Sequence, residues 1–132
     1  MTASRREARE RALGLLYEAE SRAVEPQAVI DGLPVPPDAY AVDLVTGVSA
    51  NQDQIDTLIR RFAKDWKLER MPTIDRALLR MAIHELLSRS EVPTGVVISE
   101  AVDLATQYST DESGRFVNGM LSRIAAEVRP PR

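Results

Sequence analysis

The chain has 132 residues, of which 44% are hydrophobic and 28% charged, the size and balance of one domain with a real core. It holds no cysteine, which excludes disulfides, thiolate-bound zinc and a cysteine nucleophile and suits a cytoplasmic location. No apolar stretch approaches the ~18 residues of a membrane span, and the net charge of −3 leaves room for phosphate binding only as a local basic patch on an acidic body.

The first predicted helix opens on Ser4-Arg5-Arg6-Glu7-Ala8-Arg9-Glu10-Arg11-Ala12-Leu13. Ala8, Ala12, Leu15, Leu16 and Ala19 share one face at helical spacing. Arg5 and Arg9 lie at the edge of that side, and arginines are rarely buried without a partner, so the first two turns are expected to project beyond the core. Cations at a helix N-terminus oppose the macrodipole, a cost that a capping box between Ser4 and Glu7 offsets in part. These arginines are therefore expected to serve something outside the fold, a phosphate backbone foremost. Tyr17 falls at the rim of the apolar face, where a ring buries its body and leaves its hydroxyl to solvent or to a partner.

Pro26 fits the first position of a short helix ending near Gly32. Pro34, Pro36 and Pro37 then mark an extended connector. From Asp38 the stripe Leu44, Val45, Val48, Ile55, Leu58, Ile59, Phe62 predicts one long helix running almost to Trp66, with a break near Asn51. Trp66 is placed at a joint between two bundles, and the charges from Lys64 to Arg70 are read as solvated. Pro72 or Thr73 opens the next helix, on Ile74, Ala77, Leu78, Met81, Ala82 and Leu86, and Pro93 ends that unit. Asp75 sits in its first turn, where an acidic side chain suits the dipole. A further helix covers Val96 to Tyr108, and the polar run Ser109 to Gly114 is read as a loop before a last helix on Phe116, Val117, Met120, Leu121 and Ile124. Gly119 is expected to permit a close helix approach and Asn118 to bond a neighbouring backbone. No segment alternates with period 2, so the predicted class is all-α.

The chemistry of an enzyme is missing. His84 is the only histidine, so neither a histidine metal site nor a catalytic triad can be built, and His84 is expected at a helix surface or boundary. There is no Walker loop and no G-x-G-x-x-G. No metal or cofactor is expected. Around the last helix start, Arg115 beside Phe116 admits two readings: a ring that stacks on an unpaired base with its neighbour on phosphate, or the first residue of the core stripe.

Three segments together resemble the NusB family of bacterial transcription antitermination factors: Arg-Arg-Glu-Ala-Arg-Glu-Arg-Ala at 5–12 with Leu16-Tyr17; Asp75-Arg76-Ala77-Leu78-Leu79-Arg80-Met81-Ala82 with Glu85-Leu86; and Phe116-Val117-Asn118-Gly119-Met120-Leu121 with the polar run before it. The resemblance covers nearly the whole chain. It implies a single domain over 1–132 built of two three-helix bundles, and a non-enzymatic role. That role is binding of single-stranded boxA RNA of ribosomal RNA leader transcripts jointly with NusE, a small-subunit ribosomal protein, to promote read-through by RNA polymerase. By the same resemblance Arg5, Arg6 and Arg9 fall on one RNA-binding surface, Glu112, Arg115 and Phe116 on a second, and Tyr17 and Asp75 on the face that meets NusE. Glu7 stands where many relatives carry a basic residue, which weakens non-specific RNA affinity, and the connector over 23–37 looks short. The alternative is a helical protein-binding adaptor or homodimer without specific RNA binding, its arginines paired to acidic neighbours.

Overall fold

A computed structural model of the chain describes residues 4–64 and 66–130. Among these there are seven α-helices and one 3-10 turn, and no strand. Helix α1 (Arg5–Arg22) starts with the expected capping box: the Ser4 hydroxyl accepts from the Glu7 amide at 3.0 Å, and the Ser4 amide donates to Glu7 Oε1 at 3.3 Å. It stops at Ala23, whose φ of 54° is the left-handed conformation that usually selects glycine. Helix α2 (Pro26–Asp31) begins with its proline at the first position, as predicted.

The long helix foreseen from Asp38 is two helices. Asn51 is at once the C-cap of α3 (Ala39–Ala50) and the N-cap of α4 (Gln52–Phe62), and its φ of −116° breaks the path at the predicted place. The Asp38 carboxylate accepts from the Tyr40 amide and starts α3. After a 3-10 turn at Leu68–Arg70 come α5 (Thr73–Ser88), α6 (Thr94–Tyr108) and α7 (Asp111–Val128). The run read as a loop before α7 is a correction: Thr110 is the N-cap, its hydroxyl accepting from the Ser113 amide at 2.9 Å, so Asp111 to Gly114 form the first turn of the helix. The capping threonine and two dipole-favoured acids turn a polar run into a helix start.

Helices α1, α2 and α3 pack on one another as one bundle, and α5, α6 and α7 as the other. Helix α4 leans on α3, α5 and α7 and ties the two together. Helix α5 lies in the middle, in contact with α1, α3, α4, α6 and α7, and its Leu78, Leu79 and Ile83 are fully buried. The end of α5 and the turn after it are capped from outside by Arg129, which donates to the carbonyls of Glu85 and Leu86 in the last turn and of Arg89 and Val92 beyond it at 2.6–3.1 Å.

Two close approaches decide helix spacing. A Cβ on Gly47 of α3 would overlap the ring of His84 on α5, and one on Gly114 would press on the Thr106 hydroxyl of α6. Gly119, expected to play this part, has nothing near its missing Cβ, and Asn118 beside it is exposed. His84 is likewise corrected from boundary to core, 4% exposed with Nε2 3.1 Å from Asp43 Oδ2.

Candidate nucleic-acid interface

The arginines of α1 have three different fates. Arg5 is exposed and makes no ion pair among the described residues. Its guanidinium lies 3.9 Å from the centre of the Tyr40 ring, a cation–π contact that holds the charge at the surface without neutralising it. Arg6 is half-exposed and already engaged, with Nη1 2.6 Å from Glu100 Oε2 and 3.5 Å from Asp103 Oδ2, and Nε 3.8 Å from Glu10. Partial burial works against its charged form, but the hydrogen bonds it donates to Glu100 and Asp103 win and raise its pKa further above the ordinary value.

Arg9 corrects the expectation that the first two turns project. It is 4% exposed. Its Nε and Nη2 donate to the two oxygens of Glu85 at 2.7 and 2.8 Å, and its Nη1 reaches Glu100 Oε1 at 3.4 Å. Glu85 is also buried, and its Oε2 accepts from the Tyr40 hydroxyl at 2.8 Å. A buried cation was tolerable because its partner, 76 positions away, arrives on another helix. Burial and the Glu85 hydrogen bond push the Tyr40 phenol up to about 12.

Tyr40 is thus the hub of this end of the molecule. Its hydroxyl fixes Glu85, and its ring carries Arg5 on one contact and the Arg89 guanidinium, 4.8 Å from its centre, on another. Arg89 donates to Asp43 at 3.0 Å. Burial would raise the Asp43 carboxyl, but its bonds to His84 and Arg89 outweigh that and lower it. Neither Tyr40 nor Arg89 was singled out in the sequence. Each takes its meaning from residues on other helices.

On α7, Glu112 and Arg115 are exposed, in the first and second turns. Phe116 is half-buried, and its ring meets that of Trp66 edge-to-face with centroids 4.8 Å apart. Both readings of Phe116 therefore keep some footing: part of the ring packs and part faces outward. Tyr108, at the end of α6 just before α7, donates its hydroxyl to Glu10 of α1 at 2.6 Å.

Of the two residues assigned to a protein partner, Tyr17 is 47% exposed and open to contact. Asp75 is not: its exposure is 0%, and neither carboxylate oxygen has a hydrogen-bond partner among the described residues. It lies at the third position of α5, where the dipole favours it, but it makes no capping bond. Among the described residues no cluster of histidine and carboxylate side chains could hold a metal ion, and no helix is long and apolar enough to cross a membrane.

Comparison with known proteins finds relatives over most of the chain. The family model described as "NusB family" matches residues 6–126. A protein named transcription antitermination protein NusB from Salinispora tropica is 50% identical over 129 residues, covering 92% of this chain and 95% of its own. Among solved structures, NusB of T. maritima superposes with a TM-score of 0.86 at 35% identity, over 96% of this chain and 94% of that one. A chain from the complex of antitermination factors NusB and NusE with double-stranded RNA matches with a TM-score of 0.78 at 28% identity, over 93% of this chain and 96% of that one.

Proposed function

The chain belongs to the NusB family, which makes it a transcription antitermination factor rather than an enzyme, and from that premise we propose that it binds boxA-type RNA of ribosomal RNA leader transcripts jointly with NusE and so promotes read-through by RNA polymerase in the cytoplasm. The observation that carries the RNA half is Arg5: an exposed guanidinium with no carboxylate partner among the described residues, braced on Tyr40 beside Arg6, on a chain of net charge −3. A cation held in place but not neutralised favours a phosphate. Arg6 joins it by exchanging Glu100 and Asp103 for phosphate, and Arg115 and Phe116 supply a second contact with Glu112 beside them. Arg9 acts as a positioning residue that fixes this end of α1. Tyr17 faces NusE; Asp75, wholly buried, supports that face from within.

The deciding experiment titrates a boxA-type single-stranded RNA, a scrambled RNA and a duplex RNA against the chain, with and without NusE. Preference for boxA that tightens when NusE is present is expected. Equal, weak binding of all three under both conditions overturns the proposal. One observation favours a second reading, a protein-binding adaptor or homodimer: Arg6 and Arg9 are already satisfied by carboxylates of the same chain. Sedimentation of the isolated chain with and without RNA separates the two.

A further inference from the structure

Between the end of α4 and the middle of α7 lies an open groove of about 620 Å³. Its walls include Trp66 and Phe116, both half-buried, and among the described residues its rim carries Arg61, Lys64 and Arg123 against one acid, Glu127. Among the described residues this excess of cations reverses the charge balance of the whole chain. Arg61 is held in place from two sides, by an ion pair with Glu127 and by the Phe62 ring 5.4 Å from its guanidinium. Arg123 forms no ion pair among the described residues; its contact is Met120 Sδ at 3.4 Å.

We infer that this groove takes an unpaired nucleotide of single-stranded RNA, its base against Trp66 and Phe116 and its flanking phosphates on Lys64 and Arg123. Aromatic walls with a cationic rim are what single-stranded nucleic acid requires: every base has a π-face to stack, and every linkage has a charge to meet. The volume is in the range that holds a small organic ligand. Phe116 belongs both to this groove and to the interface proposed above, so the groove continues that RNA path from α7 toward the end of α4. The Arg61–Glu127 pair is a local brake, since the carboxylate competes with phosphate for the guanidinium. The inference rests on the RNA-binding reading and adds residues that reading does not use.

Trp66 is the only tryptophan in the chain, so its emission reports this groove alone. A boxA-type RNA with short oligouridine flanks would be titrated, following Trp66 emission with unlabelled RNA and anisotropy with end-labelled RNA. The expected result is quenching of Trp66 with the same midpoint as the anisotropy change. The Lys64→Glu/Arg123→Glu double variant, altered only at exposed positions, should bind about tenfold more weakly or worse and lose about 0.7 in salt slope for each phosphate contact removed. Glu127→Gln should bind more tightly than the parent, a gain that a purely structural role for the ion pair does not produce. Full affinity by anisotropy with unmoved Trp66 emission and a double variant that binds like the parent would overturn the groove assignment and leave the RNA-binding reading standing. No RNA binding with NusE present would remove both. A Trp66 response to NusE without RNA would make the groove a protein contact and also overturn the inference.

Discussion

Replacing Arg9 with alanine separates the two things a first-turn arginine can do. The guanidinium gives two hydrogen bonds to Glu85, whose side chain is 2% exposed, and a weaker one to Glu100. Arg9→Ala leaves Glu85 buried with the Tyr40 hydroxyl as its remaining partner. Breaking a buried pair from one side costs ~3–5 kcal/mol, because the surviving charge has lost its counterion. For a chain of this length each kcal/mol moves Tm by roughly 3–4 °C, so the loss should be about 9–20 °C. Arg6→Ala removes contacts between partly exposed groups, worth ~0–1 kcal/mol and so at most about 4 °C. The order reverses in RNA binding: Arg6→Ala and Arg5→Ala should each lower the salt slope by about 0.7, while Arg9→Ala at a temperature where it remains folded should leave the slope unchanged. Circular dichroism melts and salt-dependent anisotropy read the two axes on the same samples. If Arg9→Ala melts within about 3 °C of the parent and loses slope like Arg6→Ala, Arg9 is a phosphate ligand and the buried-pair argument is wrong.

The Tyr40 phenol, pushed up to about 12, gives a pH signature. Its folded value lies above the ordinary ~10, so the stability it lends is complete below pH ~10 and is lost as pH climbs through the folded value, an amount of about 2–3 kcal/mol. Ultraviolet titration of the three tyrosines should show a last ionisation that disappears in Tyr40→Phe, with the hydrogen bond to Glu10 delaying Tyr108 as well; a last step unchanged by the substitution refutes the assignment. Gly47→Ala should cost about 1–3 kcal/mol, because the new methyl meets the His84 ring in a packed core. Gly119→Ala is the control. It adds a methyl in open space and improves helix propensity, so it should stabilise the chain by a few tenths of a kcal/mol to about 1 kcal/mol; chemical denaturation of both variants against the parent tests the pair.

Local signals were legible in the sequence wherever one stretch of chain decides the outcome. Ser4 and Glu7 announce a helix start because both partners of the capping box lie within one turn. Pro26 and Asn51 mark a start and a break for the same reason. The Thr110 cap was equally local but was hidden by a polar run that resembles a loop. What stayed illegible depends on partners far apart in sequence. Arg9 looks exposed until Glu85 is brought to it, Tyr40 looks like an ordinary apolar position until three guanidiniums collect around its ring, and Gly47 matters only because His84 faces it. Of the candidate site, composition could say that phosphate binding needs a local basic patch, and the family resemblance pointed to candidate positions for it. Which arginine is free and which is spoken for became visible only with the fold.

Helix α5 touches five of the other six helices, so it cannot be allotted to either bundle alone. Each bundle lacks a wall without it, and neither is expected to persist as an excised fragment. The chain should therefore melt in one cooperative transition, with matching calorimetric and van't Hoff enthalpies. That cooperativity has a thermodynamic reach: a ligand seated on one bundle stabilises the native state as a whole, so amides of α7 that exchange only by global unfolding should slow when a partner docks beside Tyr17 on α1. Two faces on different bundles would then report on each other through the helix they both lean on.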